Sequence, residues 1–141
     1  MTVPEQLRLF FEPRSVALVG VPRRTGRGSF NILETLVNLG FPGTMYPVNP
    51  HAQSLLGLSC YPEPRTLPWG IDLAVILLPR HLVLEAVRGC LERGIRAFIV
   101  VSDGFAEADE RGAALQEELA GMVREAGGRL VGPNTIGVVN K

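Results

Sequence analysis

Five short apolar runs, each closed by a turn-forming residue and separated from the next by a helical pattern or a proline-rich stretch, constrain the fold of this chain more than any other feature. Ser15-Val16-Ala17-Leu18-Val19-Gly20, Leu73 to Leu78 and Ala97 to Val101 carry no charged side chain, the form of strands buried on both faces. Thr44 to Val48, closed by Asn49-Pro50, and Arg129 to Gly132 complete the set. Between them, Ser29 to Leu39 places Phe30, Leu33, Leu36 and Val37 at helical spacing, with Gly40 as its stop. Leu82, Val83, Ala86, Val87 and Cys90 form a second stripe that Gly94 ends. Glu107 to Ala126 forms the longest helix, with Leu115, Leu119, Met122 and Val123 facing inward. Pro4 to Phe11 reads as a brief leading helix.

Apolar strands alternating with helices imply a parallel sheet covered on both faces. The chain is therefore expected to be a single α/β domain over residues 1–141. The expected fold is Rossmann-like and doubly wound, a five-stranded, mainly parallel sheet with helices on both faces. Right-handed crossovers suggest the strand order 3-2-1-4-5, with a ligand crevice beyond strands one and four. The irregular part is Leu55 to Pro68, where Pro62, Pro64 and Pro68 predict a short helix and a loop.

Composition narrows the function classes. Apolar residues make up 46% and charged residues 20%, and the formal net charge is zero, so no nucleic-acid partner is expected. No run approaches the ~20 apolar residues of a membrane span, and Met1 to Phe10, with Glu5 and Arg8 within it, lacks the long apolar stretch of a secretion signal. A cytoplasmic location without membrane association is the expectation. Cys60 and Cys90 are too few and too far apart for a disulfide framework or a zinc site, so no metal is assigned. Cys90 lies in an apolar stripe and reads as a small buried hydrophobe, whereas Cys60 lies in a loop. Trp69 reads as a packing residue at the sheet edge, and Asp72 as a cap or ion-pair partner.

The unusual residues fall at the carboxyl ends of the strands, where sheets of this class bind ligands. The first such loop, Gly20-Val21-Pro22-Arg23-Arg24-Thr25-Gly26-Arg27-Gly28-Ser29, joins a buried strand to a helix. Glycines let the backbone approach a ligand, and a helix N-terminus presents free N–H groups to phosphate. Arg23, Arg24 and Arg27 suggest a ligand bearing several phosphate charges, the alternative being a solvated turn with incidental arginines. The spacing matches neither G-x-G-x-x-G nor the Walker A loop. Strand two ends in Val48-Asn49-Pro50-His51, without the Asp or Glu that would hold the ribose of NAD. NADP stays open, since the arginines can meet a 2′-phosphate, and Asn49-Pro50 alone also reads as a plain turn. Asp103 is read equally as a pocket carboxylate or as an Asx-turn residue beside Gly104.

Five segments taken together resemble a known family. Phe11-Glu12-Pro13-Arg14-Ser15-Val16-Ala17-Leu18-Val19-Gly20, Tyr46-Pro47-Val48-Asn49-Pro50, Asp72-Leu73-Ala74-Val75-Ile76, Ser102-Asp103-Gly104-Phe105 and Gly132-Pro133-Asn134-Thr135-Ile136-Gly137-Val138 are similar, in order, to the N-terminal CoA-binding domain of NDP-forming acyl-CoA synthetases. That family includes ADP-forming acetyl-CoA synthetases and the succinyl-CoA synthetase alpha subunit. The resemblance runs from about Leu9 to Lys141 and implies coenzyme A as ligand. It implies that Gly20, Arg23, Arg24, Thr25, Gly26, Arg27, Gly28 and Ser29 form the loop that cradles the CoA phosphates. Asn49 and Pro50 would border the adenosine end, and Leu78 and Pro79 would line the pocket. Ser102, Asp103 and Gly104 would flank the pantetheine, and Asn134 with its neighbours would lie near the thiol.

The chain departs from the family pattern in three places. The first loop is about a residue short, His51 stands where relatives often have Lys, and Thr135 stands where they often have Cys. The family also passes phosphate through a histidine in a following domain and binds nucleotide in an ATP-grasp domain. The only histidines here, His51 and His81, lie in first-domain loops and read as exposed or hydrogen-bonding residues. No catalytic residue is assigned, and turnover by this chain alone is not expected. An ATP-grasp subunit or further C-terminal domains are the expected partners. The alternatives are a stand-alone regulatory protein that senses CoA or a nucleotide, and an NADP-binding oxidoreductase domain.

Overall fold

The computed structural model describes residues 3–20, 32–101, 105 and 109–132. The main strands are β1 (Ser15–Val19), β2 (Thr44–Val48), β5 (Leu73–Ile76), β6 (Ala97–Val100) and β7 (Arg129–Val131). They form one five-stranded sheet in the order β2-β1-β5-β6-β7, with every pairing parallel. The α/β doubly wound expectation therefore holds, but the strand order does not. Counting main strands only, the observed order is 2-1-3-4-5, so the switch point lies between the first and third strands.

Pro47 explains the difference. It sits in β2 and has no N–H to give a neighbour, so its strand is tolerated at an edge and disfavoured inside a sheet. The order 3-2-1-4-5 would have buried β2 between two partners. Instead the fully apolar β5, buried at all four residues, takes the inner place beside β1.

Side-chain alternation divides the core in two. Val16 and Leu18 of β1, Leu73 and Val75 of β5, and Ala97 and Ile99 of β6 face Leu9 and Phe10 of α1 (Val3–Phe11) and Leu33 of α2 (Ile32–Asn38). Ala17, Val19, Ala74, Ile76, Phe98 and Val100 face the other way. There they meet Val83 and Val87 of α3 (Arg80–Glu92) and Leu119 and Val123 of α4 (Glu110–Glu125). A one-residue register slip in any inner strand would exchange the two sets. The longest helix starts at Glu110, inside the predicted Glu107, because the Asp109 carboxylate accepts the Gly112 N–H at 2.7 Å and caps it there.

The proline-rich connection from β2 to β5 contains the expected short helix, one 3-10 turn at Pro64–Thr66, and also a small hairpin that was not expected, β3 (Ser54–Leu55) and β4 (Leu58–Ser59). It wraps the open edge of β2. Leu55 and Leu58 pack with the α1/α2 side of the core, and Leu67 and Ile71 with the α3/α4 side. Between them the Tyr61 N–H donates to the Pro47 carbonyl at 2.9 Å, and the Asn49 N–H donates to the Tyr61 carbonyl at 3.0 Å. The edge that Pro47 tolerates is thus covered by its own downstream chain.

At the amino edge, Asp72 accepts the Arg14 N–H at 2.8 Å while its own N–H donates to Ser15 Oγ at 2.9 Å. Asp72 thereby ties the starts of β1 and β5, a structural role as expected. Arg14 belongs to this amino edge, just before β1, and not to the carboxyl end of β1 where Gly20 lies. Trp69 is 69% exposed and lays its ring over Gly94, where an added Cβ would come within 2.7 Å of the indole. Among the described residues no helix is long and apolar enough to cross a membrane.

Candidate functional site

On the α3/α4 side, α3 and α4 cover β5 to β7, and the ends of β1 and β2 form the floor of a cleft of about 590 Å³. That volume falls within the ~300–1,000 Å³ of small-molecule sites. Val19 and Val48 supply the apolar floor. One wall is the face of α3 that carries His81, Leu82, Glu85, Ala86 and Gly89, and the other is Pro62 to Arg65. Gly20, Asn49, Pro50, His51 and Leu78 form the rim.

Each part of this cleft has a local cause. Gly20 has φ +97°, and a Cβ there would meet the Leu77 carbonyl and the Leu78 side chain, so only glycine lets β1 leave the sheet against β5. Asn49 is buried, and its Oδ1 accepts the His51 N–H at 2.7 Å, which closes an Asx turn and sets His51 on the rim. The second wall stands against α3 because Gly89 admits Pro64, whose Cβ lies 3.1 Å from where a Gly89 Cβ would be. Arg65 adds two ion pairs to α3, with Glu92 at 2.7 Å and Glu85 at 3.4 Å. Its guanidinium is thereby held by two carboxylates, and these hydrogen bonds raise its already high pKa further.

The start of α3 is also tied sideways. Arg80 pairs with Asp109 at 2.8 Å, and the same Asp109 oxygen caps α4. The hydrogen bond from Arg80, together with the Gly112 N–H, holds the Asp109 carboxyl below the usual carboxylate range. Neither thiol lines the cleft. Cys90 is fully buried and burial pushes its pKa up to about 12, while half-buried Cys60 is raised by the same loss of water.

Of the residues singled out from sequence, Gly20, Asn49, Pro50 and Leu78 meet on one rim. Pro79 stands just before α3 as its N-cap residue, outside the cleft lining. Arg23, Arg24, Thr25, Gly26, Arg27, Gly28, Ser29, Ser102, Asp103, Gly104 and Asn134 lie outside the described residues. Sequence reasoning passed over the second wall, and it read His81 as a loop residue where the structure places it in the first turn of α3. The one available signal was the density of prolines from Pro62 to Pro68, read there as irregularity when it builds a rigid face.

A family model described as a CoA binding domain matches residues 14–141. The chain belongs to this family of CoA-binding domains. It is 41% identical over 139 residues to the ADP-forming acetate–CoA ligase II of Archaeoglobus fulgidus, covering 99% of this chain and 20% of that protein. It is 31% identical over 137 residues to the alpha subunit of the ADP-forming acetate–CoA ligase II of Pyrococcus furiosus, covering 95% of this chain and 29% of the subunit. Among solved structures, the dinucleotide forming acetyl-coenzyme A synthetase 1 of Ca. Korarchaeum cryptofilum superposes with a TM-score of 0.82 at 35% identity. The match covers 93% of this chain and 28% of that one. The chain thus spans between a fifth and about a third of the length of these relatives. The cleft has an apolar floor and leads to the glycine-bearing rim where β1 ends.

Proposed function

We propose that this CoA-binding domain holds coenzyme A, or an acyl-CoA, for an NDP-forming acyl-CoA synthetase. In that reaction acyl-CoA, NDP and phosphate are exchanged for the acid, CoA and NTP. The observation that carries the reading is the cleft at the β1/β5 switch point, in a chain whose family match covers residues 14–141. The apolar floor of Val19 and Val48 suits the face of a heterocycle, and the rim at Gly20, Asn49 and Pro50 suits its ribose and phosphates. When bound, CoA supplies the thiol that carries the acyl group; the residues described here bind and orient the nucleotide end.

The remaining assignments rest on sequence. Arg23, Arg24, Thr25, Gly26, Arg27, Gly28 and Ser29 cradle the phosphates, Ser102, Asp103 and Gly104 flank the pantetheine, and Asn134 lies toward the thiol. The phosphate-carrying histidine and the nucleotide-binding ATP-grasp unit come from further domains or a partner subunit, and the setting is the cytoplasm. Calorimetric titration of the chain with CoA, and in parallel with NADPH and NADH, tests the reading. Saturable one-to-one CoA binding with both nicotinamides silent is expected. NADPH binding with CoA silent overturns it.

A further inference from the structure

The wall that α3 gives to the cleft begins one residue after Arg80, at His81 and Leu82, and continues to Gly89. This helix starts on Pro79, with no side-chain cap and no acidic residue in its first turn. Its first turn therefore lacks the local devices that usually fix a helix start. Arg80 supplies a tether from outside, reaching across to Asp109 at 2.8 Å. Asp109 is itself fixed, since the same Oδ1 accepts the Gly112 N–H at 2.7 Å at the head of α4. One carboxylate oxygen thus joins the heads of two neighbouring helices at the carboxyl edge of the sheet.

We propose that Arg80 and Asp109 are positioning residues for the ligand cleft: their ion pair holds the first turn of α3, and with it His81, Leu82 and Glu85, at the spacing that CoA binding requires. The inference rests on the CoA reading above and adds to it two residues that do not line the cleft. Arg80 carries a positive charge at the positive end of its own helix, an unfavourable place by itself. The pairing with Asp109 offsets that placement.

The test uses the full chain and three variants, each read by CoA titration and by thermal melting. Asp109→Asn keeps an amide oxygen for the Gly112 N–H and so keeps the α4 cap, but removes the ion pair. Arg80→Gln removes it from the other side, and Arg80→Lys can still pair with Asp109. Asp109→Asn and Arg80→Gln are each expected to weaken CoA about two- to fivefold, the range of a partly exposed ion pair. Arg80→Lys should stay near the unaltered chain. The double variant Arg80→Gln/Asp109→Asn should lose no more than the larger single loss, because both changes break one interaction. Unchanged CoA affinity with a lowered melting temperature would reduce the pair to a stability element and overturn the proposal. Additive losses in the double variant overturn it as well, since the residues would then act separately. If the unaltered chain fails to bind CoA, the functional reading itself fails, and this inference falls with it.

Discussion

A Cβ atom on Gly20 would stand 2.7 Å from the carbonyl oxygen of Leu77. The two residues close β1 and β5 side by side: the Gly20 N–H donates to the Val48 carbonyl at 3.3 Å, and the Leu77 N–H donates to that of Val19 at 2.8 Å. Gly20→Ala combines a positive φ with a backbone clash, and is expected to cost about 2–4 kcal/mol and to weaken CoA. Gly40→Ala is the control. It has φ +73° but nothing within 4 Å of an added Cβ, so only the conformational cost of about 1–2 kcal/mol applies. Urea unfolding of both variants checks this, and equal losses would refute the close approach.

The first-loop arginines make a second prediction, from charge. If Arg24 and Arg27 meet phosphates, Arg24→Ala and Arg27→Ala each weaken CoA more than they weaken pantetheine, by up to about 1.5–3 kcal/mol for a well-buried contact. Calorimetry with CoA, dephospho-CoA and pantetheine reads the difference. The same loss for all three ligands would remove the arginines from the phosphate cradle.

Gly89 sets the width of the cleft. A Cβ there meets Pro64 at 3.1 Å, so alanine's gain in helix propensity, about 1 kcal/mol, works against a tight contact. Gly89→Ala is expected to change stability little. Gly89→Val forces the Pro62 to Arg65 wall outward and should cost about 1–3 kcal/mol and weaken CoA. Retained affinity in the valine variant would show that this wall does not touch the ligand.

The depressed Asp109 carboxyl predicts a pH effect with a definite sign. Its folded pKa lies below the unfolded value, so the folded state gains from its ionised form above the unfolded pKa of about 3.9. That gain is lost as pH falls through the folded pKa. In the acid limb below about pH 4, the unaltered chain should therefore lose stability more steeply than Asp109→Asn. Denaturant midpoints measured between neutral pH and the acid limb check it, and parallel curves would refute it.

The strands were legible in the sequence because burial on both faces leaves no place for charge, and β1, β5 and β6 show it residue by residue. Their order was misread because both candidate orders bury the same runs, and only Pro47 in β2 separates them. The rim residues Gly20, Asn49 and Pro50 were legible because each breaks a strand with a distinct backbone requirement. The second wall was not, since its contact with α3 depends on Gly89 and Arg65 meeting across 24 residues of chain. No local pattern encodes that meeting.

The stacking of Trp69 on Gly94 has a spectroscopic consequence. Trp69 is the chain's single indole, it stands at the amino edge of the sheet, and it is not among the residues lining the cleft. Its emission is expected to follow unfolding at that edge, and a ligand held as proposed, in the cleft by the Gly20 rim, would not touch the ring. A fluorescence melt followed through this one ring, with and without CoA, therefore measures ligation purely as a shift of the unfolding midpoint.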